Sequence, residues 1–268
     1  MTGPSALGPK VTVVIPTLDS GRFLREALES VLGQDYPRLE CRVVDGGSTD
    51  NTLEVLKEYE DRIEWVSEPD RGQAHAINKG LAAAEGEVVA WLNADDRYLP
   101  GAVSKAVECL VAHPEAAAVY GDVEWIDEEG RTLEVRRSMP FEMHRLLNYY
   151  NYIPQMTTFF WRRIWEDLGG LDEGLRYAMD YDLWIRMGKT GPMLYMGCVL
   201  AQWRVHKGSK TSASPMVAMP ENIMVSRRHG GMRFSPMWVT ALLWRMGLRA
   251  PVRLGRRLLE TRWRREAP

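Results

Sequence analysis

The chain has 268 residues, 45% of them hydrophobic and 26% charged, the composition of an ordinary globular protein with room for one large α/β domain. Cys41, Cys109 and Cys198 stand far apart, which excludes a disulfide framework and a cysteine metal site and fits a reducing cytoplasm. The net charge of −2 hides an asymmetry: residues 227–268 hold eleven arginines, no lysine and two glutamates, so a tail of +9 follows an acidic body of −11.

Met1–Lys10 shows no signal-peptide pattern, and no stretch reaches 18 uninterrupted apolar residues, so no transmembrane helix is expected. Val11–Ile15 predicts a first buried strand. Asp19 or Ser20 then caps a helix with Phe23, Leu24, Leu28, Val31 and Leu32 on one face. Cys41–Val44 predicts a second strand that stops at Asp45-Gly-Gly-Ser-Thr-Asp50, and Thr49 or Asp50 caps a helix running to Tyr59. Ile63–Val66 is a third strand, Ala74–Ala84 a third helix, and Val88–Leu92 a central strand apolar on both faces. This alternation implies a parallel sheet with right-handed crossovers. Further on, Pro100-Gly101 opens a helix to Ala112. Ala117–Tyr120 and Val123–Ile126 read as separate strands, and Asp127–Gly130 turns a hairpin toward Leu133. The pattern from Phe141 is irregular and aromatic. A helix ends at Gly169-Gly170, another covers Asp180–Met187, and Cys198–Val205 is the last strand.

Chemistry-bearing residues gather where the strands end: Thr17 with Asp19, Asp45 with Ser48, and Asn93 with Asp95 and Asp96. In an open α/β sheet that edge binds ligands. Adjacent carboxylates after a buried strand need donors or a cation, and oxygen ligands of this kind suit Mg²⁺ or Mn²⁺ beside a diphosphate. The bland alternative is an Asp-Asp turn that begins a loop. Neither Gly-x-Gly-x-x-Gly nor Gly-x-x-x-x-Gly-Lys-Ser/Thr occurs, which argues against a dehydrogenase or a P-loop enzyme.

Val13-Val-Ile-Pro-Thr17, Val43-Val-Asp-Gly-Gly-Ser-Thr-Asp50, Trp91-Leu-Asn-Ala-Asp-Asp96 and Asp180-Tyr-Asp-Leu-Trp-Ile-Arg186 occur in that order. Together they closely resemble the family 2 glycosyltransferases, inverting enzymes, over about residues 10–212. The resemblance implies a GT-A (Rossmann-like) α/β fold, a mixed, mostly parallel sheet flanked by helices, with a C-terminal helical extension. It assigns 1–225 to the glycosyltransferase domain, a nucleotide-sugar half at about 10–100 and an acceptor half at about 101–225, and leaves 226–268 as a basic amphipathic extension. It implies that Thr17, Asp19, Asp45, Arg71, Asn78, Asn93 and Asp95 bind the donor, Asp45 through the base. Asp95, Asp96 and His206 would hold Mg²⁺ or Mn²⁺. Asp180 would be the general base, with Asp182 as rival, although capping its helix suits Asp182 better. His75 reads as a surface residue.

The chain departs from the family pattern at four places. Asp19 stands where Asn is common, Gly46 where a second Asp is common, Asn93 in place of the first Asp of Asp-x-Asp, and Met179 where Glu often precedes the base. Two competing readings are a sugar-nucleotide nucleotidyltransferase, for which Asp19-Ser-Gly-Arg22 is a poor phosphate loop, and an inactive sugar-nucleotide binding protein. The expected reaction carries a sugar from a nucleoside-diphosphate sugar, a UDP-sugar first, to a saccharide or lipid-linked acceptor in cell-surface polysaccharide synthesis. The tail Ser235–Arg265, broken at Pro251, predicts two basic amphipathic helices at an anionic membrane surface, or packed on protein. The expected location is cytoplasmic, peripheral on the inner face of the membrane. No nucleic-acid partner is expected, and a homodimer stays open.

Overall fold

The computed structural model describes residues 8–210 and 217–245. Four parallel strands, β1 (Val11–Thr17), β2 (Leu39–Asp45), β3 (Glu64–Ser67) and β4 (Val88–Trp91), lie in the order β3-β2-β1-β4. Helices α1 (Gly21–Leu32), α2 (Thr52–Glu58) and α3 (Gln73–Ala82) make the crossovers. Every residue of β1 is buried, because helices cover both faces. On one face Val11, Val13 and Ile15 pack with Leu24 and Leu28 of α1 and with Val103 and Leu110 of α4 (Ala102–Ala112). On the other, Val14 and Val44 pack with Ile77 and Leu81 of α3 and Trp184 of α7 (Met179–Thr190). Each fully buried side chain of this kind contributes roughly 1.5–3 kcal/mol. A Cβ on Gly80 would lie 2.4 Å from Val14 Cγ1, so α3 reaches the sheet only because that position is glycine.

Beyond β4 the sheet becomes mixed. β8 (Phe159–Trp161) runs antiparallel to both β4 and β6 (Ala118–Ile126), and β9 (Met193–Arg204) runs parallel to β6. β5 (Arg97–Tyr98) pairs antiparallel with β9, and β7 (Thr132–Arg136) forms the hairpin on β6. The expected mixed sheet flanked by helices is therefore present, parallel through its amino-terminal half.

Several details differ from the sequence reading. The two strands expected at Ala117–Tyr120 and Val123–Ile126 are one strand, β6. Gly121 lets the bulged β9 come close, since a Cβ there would sit 2.5 Å from the Cys198 carbonyl oxygen, and buried Asp122 is satisfied by the Ser138 N–H (2.8 Å) and the Tyr195 hydroxyl (2.7 Å). β8 forms inside the region read as irregular, and β9 starts at Met193 rather than Cys198. Helix capping is exchanged between loops. Neither Asp19 nor Ser20 caps α1 with its side chain; the Gly21 N–H donates to Asp50 and the Ser20 N–H to Thr52. Asp19, with φ +47°, instead accepts the Thr49 N–H at 2.8 Å.

The carboxyl-terminal part of the described chain adds α5 (Met143–Asn148), α6 (Arg162–Asp167), α8 (Met219–Arg228) and α9 (Pro236–Arg245). Of the expected basic tail, only the start falls within α9; the remainder, with Pro251 and most of its arginines, lies outside the described residues. No helix among the described residues is long and apolar enough to cross a membrane.

Candidate active site

At the carboxyl edge of β1 and β4 the surface opens into a cleft of about 1440 Å³. One wall of it is built from strand ends. Thr17 closes β1 in register with Asp45 on β2, and its buried hydroxyl oxygen has no hydrogen-bond partner among the described residues. Such an orphan costs about 1–3 kcal/mol unless a ligand satisfies it. Gln155 also lines the cleft, its amide N–H bonded to the Trp91 carbonyl (2.6 Å) and its amide oxygen without a partner among the described residues.

The Asp95-Asp96 turn divides its carboxylates. Asp95 faces the cleft, and its Oδ2 lies 2.9 Å from His206 Nε2. Asp96 turns inward, 1% exposed, accepting the Arg204 N–H (3.0 Å) and the Asn93 amide (3.1 Å). Burial first, and the neighbouring Asp95 charge second, push the Asp96 carboxyl well above the usual range. Arg204 itself is fully buried. It donates to the carbonyls of Asp95 (3.0 Å) and Glu128 (2.9 Å) and to Glu26 (2.6 Å), and its guanidinium lies over Phe23. Phe23 in turn touches the His206 ring, with centroids 4.9 Å apart.

The Asp95–His206 pair fits a small divalent ion. A separation of 2.9 Å is that of neighbouring ligands on an octahedral ion with bonds of about 2.1 Å. Among the described residues no group of three or more His, Cys, Asp or Glu side chains converges, so the other ligands would be water or diphosphate oxygens. The Gly208 N–H donates to His206 Nδ1 at 3.2 Å, which puts a neutral ring's proton on Nε2, facing Asp95. Ligation through Nε2 would move that proton to Nδ1 and release Gly208.

Another part of the cleft is built on the start of α7. Asp180 lines the cleft and accepts the Asn151 amide (3.1 Å). Burial raises its pKa to about 6, against the pull of the Tyr181 N–H and Asn151. Asp182 points into the protein, 2% exposed, bonded to Arg186 (2.7 Å) and His229 (2.8 Å). Lys210 spans the cleft, its Nζ 3.1 Å from Gln73 Oε1 and over the Tyr177 ring, and burial lowers its pKa.

Thr17, Asp19, Arg71, Asn93, Asp95, Asp180 and His206 share one cleft, whereas Asp45, Asn78 and Asp96 do not line it. Asp45 is fully buried and organises its own loop, accepting the Gly47 and Ser48 N–H groups and the Ser67 hydroxyl (2.6 Å). Asn78 pairs with both backbone groups of Leu171, pinning the turn before α7 (2.8 and 2.9 Å). Arg71 is exposed and bonded to Glu173 (2.7 Å). His75 does not line the cleft. At Gly46 the absent carboxylate has a substitute in space: a Cβ there would lie 2.7 Å from Asp70 Oδ2, and Asp70 lines the cleft. Sequence reasoning missed Arg204, Gln155, Asn151 and Gln73. Arg204, alternating with His206 at the end of an apolar strand, was the one with a signal.

A family model described as glycosyl transferase family 2 matches residues 12–166. An uncharacterized glycosyltransferase of Rickettsia typhi is 28% identical over 215 residues, covering 77% of this chain and 67% of its own length. Chondroitin synthase of Escherichia coli is 27% identical over 217 residues, 80% of this chain but 31% of that protein, so the chain spans under a third of this relative. Among solved structures, S. aureus TarS 1–349 in complex with UDP-GlcNAc superimposes with a TM-score of 0.66 at 18% identity, covering 87% of this chain and 71% of that one. The mannosyltransferase PcManGT from Pyrobaculum calidifontis, in complex with GDP-Man and Mn²⁺, gives 0.63 at 22% identity, covering 88% and 69%. These two likenesses are of fold. With the family model covering more than half its length, the chain belongs to glycosyl transferase family 2 and has the GT-A fold.

Proposed function

We propose that this chain transfers a sugar from a nucleoside-diphosphate sugar to a hydroxyl of a saccharide or lipid-linked acceptor, with inversion, and that Asp180 removes the acceptor proton. One observation carries the reading: Asp180, raised to about 6 by burial, faces the same cleft as the Asp95–His206 pair, while Asp182 is turned away. A base poised near neutrality is largely ionised at pH 7 yet still basic enough to take a proton. The acceptor oxygen attacks the anomeric carbon, its proton passes to Asp180, and the bond to the diphosphate oxygen breaks, the pair of electrons leaving with the nucleotide. Asn151 holds Asp180 toward the cleft. Thr17, Asp19, Asn93 and Arg71 stand where the donor would lie, with Asp70 over the Gly46 turn. Asp95 and His206 would hold Mg²⁺ or Mn²⁺, which when bound stabilises negative charge on the leaving diphosphate.

The bound UDP-GlcNAc of TarS and GDP-Man and Mn²⁺ of PcManGT support a nucleotide-sugar donor with a divalent ion, and UDP-sugars come first. Chondroitin synthase supports a saccharide acceptor and a place in surface polysaccharide synthesis. The test is nucleoside diphosphate release from a panel of UDP-hexoses, UDP-N-acetylhexosamines and GDP-mannose with Mn²⁺. Saccharides and anionic vesicles carrying lipid-linked saccharide serve as acceptors. Acceptor-stimulated release that drops at least 10²-fold in Asp180→Asn, with donor binding kept, is expected. Donor binding without release from any panel member, or an undiminished Asp180→Asn, overturns the reading.

A further inference from the structure

We propose that Glu221 is a positioning residue for Asp180, a carboxylate delivered from α8 that fixes the backbone on which the base stands. The proposal rests on the reading of Asp180 as the base. The segment that leads into α7, Arg176-Tyr177-Ala178, contains no carboxylate or amide side chain, and the N-cap residue Ala178 makes no side-chain cap. Glu221 instead holds, with one carboxylate, three successive N–H groups of the chain that enters the helix, the last of them on the N-cap residue Ala178. It accepts the Arg176 N–H at 3.0 and 3.1 Å to its two oxygens, the Tyr177 N–H at 2.6 Å and the Ala178 N–H at 2.9 Å.

The contact bears on the base because Ala178 is held from both sides. Its N–H goes to Glu221, and its carbonyl accepts the Asp182 N–H at 2.9 Å, which closes the first turn containing Asp180. Asn151 fixes the Asp180 carboxylate directly, whereas Glu221 fixes the peptide chain beneath it. The same tether sets the cleft wall, since Arg176 and Tyr177 line the cleft and Lys210 lies over the Tyr177 ring. The platform that presents Glu221 is itself anchored. From α8, Ser226 donates to the Leu147 carbonyl (2.6 Å), Arg228 pairs with Asp172 (2.6 Å), and His229, which follows the helix, meets Asp182 (2.8 Å). Met179 occupies the place where the resemblance expects a carboxylate beside the base; here one returns to that helix start from far downstream in the chain. A displacement near 1 Å at a reacting group costs about 10²-fold in rate, so the expected effect falls on turnover rather than on donor capture.

The experiment is Glu221→Ala in the full chain, assayed on the panel donor with the highest wild-type rate, with Asp180→Asn in parallel. Expected are a kcat lowered about 10- to 100-fold, a donor KM within about twofold of wild type, and recovery of at least about tenfold when formate, but not chloride at equal ionic strength, occupies the vacated carboxylate position. Wild-type kcat, a loss confined to donor KM, or a lowered kcat indifferent to formate overturns the proposal. If Glu221→Ala melts below the assay temperature, Glu221→Gln decides. Its amide nitrogen confronts the backbone N–H groups without creating a cavity, so the same kcat loss at unchanged KM supports the proposal, and wild-type kcat overturns it. An active Asp180→Asn overturns the assignment of the base itself; an inert Asp180→Asn beside a fully active Glu221→Ala overturns the role of Glu221 alone.

Discussion

The Asp95-Asp96 turn after β4 and the Asp180–Asp182 start of α7 solve the same problem with different partners. Each carries two nearby carboxylates, one facing the cleft and one built into the protein. At the strand end the inward member, Asp96, accepts a backbone N–H and an amide, and burial with the neighbouring Asp95 charge pushes its carboxyl up against the pull of these donors and of the Arg204 charge. At the helix the inward member, Asp182, meets Arg186 and His229. The outward members differ in the opposite sense. Asp95 stands beside His206 in a place suited to a cation, whereas Asp180 is surrounded by Asn151 and backbone, and burial raises its pKa. The strand end therefore presents a carboxylate–imidazole pair suited to a cation, and the helix start presents a carboxylate whose pKa burial raises. The difference lies in the neighbours, since all four residues are the same amino acid.

The sharpest break in the comparison is Asp95→Ala, which removes the outward carboxylate at the strand end. It is expected to lower turnover by about 10²- to 10³-fold and to abolish the Mn²⁺ dependence of UDP binding in calorimetry, with the fold intact by circular dichroism. Unchanged Mn²⁺-dependent binding would remove Asp95 from the metal site. Next in size is Asp182→Asn, the inward carboxylate at the helix. Leaving Arg186 and His229 without their anion is expected to cost about 3 kcal/mol in urea unfolding, while the folded enzyme keeps turnover within about threefold at low temperature. A stable but inactive Asp182→Asn would exchange the roles assigned to Asp180 and Asp182.

The smallest effect sharpens the comparison through pH. The folded pKa of Asp180, about 6, exceeds its ordinary value of 3.8, so between those values the native state binds more protons than the unfolded chain. Stability from this group therefore falls as pH rises through the window, and its full cost is present above pH 6. Asp180→Asn is expected to gain up to about 3 kcal/mol at pH 7.5 and little near pH 4, measured by urea unfolding at both. Turnover of the wild type should run the other way, rising about tenfold per pH unit up to a midpoint near 6 and then levelling. A gain independent of pH would show that burial does not burden this carboxylate.

The strand–helix alternation from Val11 to Trp91 was legible because buried parallel strands and amphipathic helices write distinct local periods. The four motifs, read in order, led to the family and to a cleft that does contain Thr17, Asp95, Asp180 and His206. Carboxylate types and their places after strands are properties of the chain itself. Which carboxylate faces the cleft was not, because Asp95 and Asp96 are adjacent, and their division depends on Arg204, more than a hundred residues away. Local propensity also misassigned the capping of α1, since Asp50 reaches it from the neighbouring loop. It likewise split β6 at Gly121-Asp122, a polar interruption that Ser138 and Tyr195 satisfy only after folding. Periodicity and motif determined the framework and the residue types at its edge. Hydrogen bonds between distant segments decided the orientation, charge state and support of each group, because such partners meet only when the sheet has assembled.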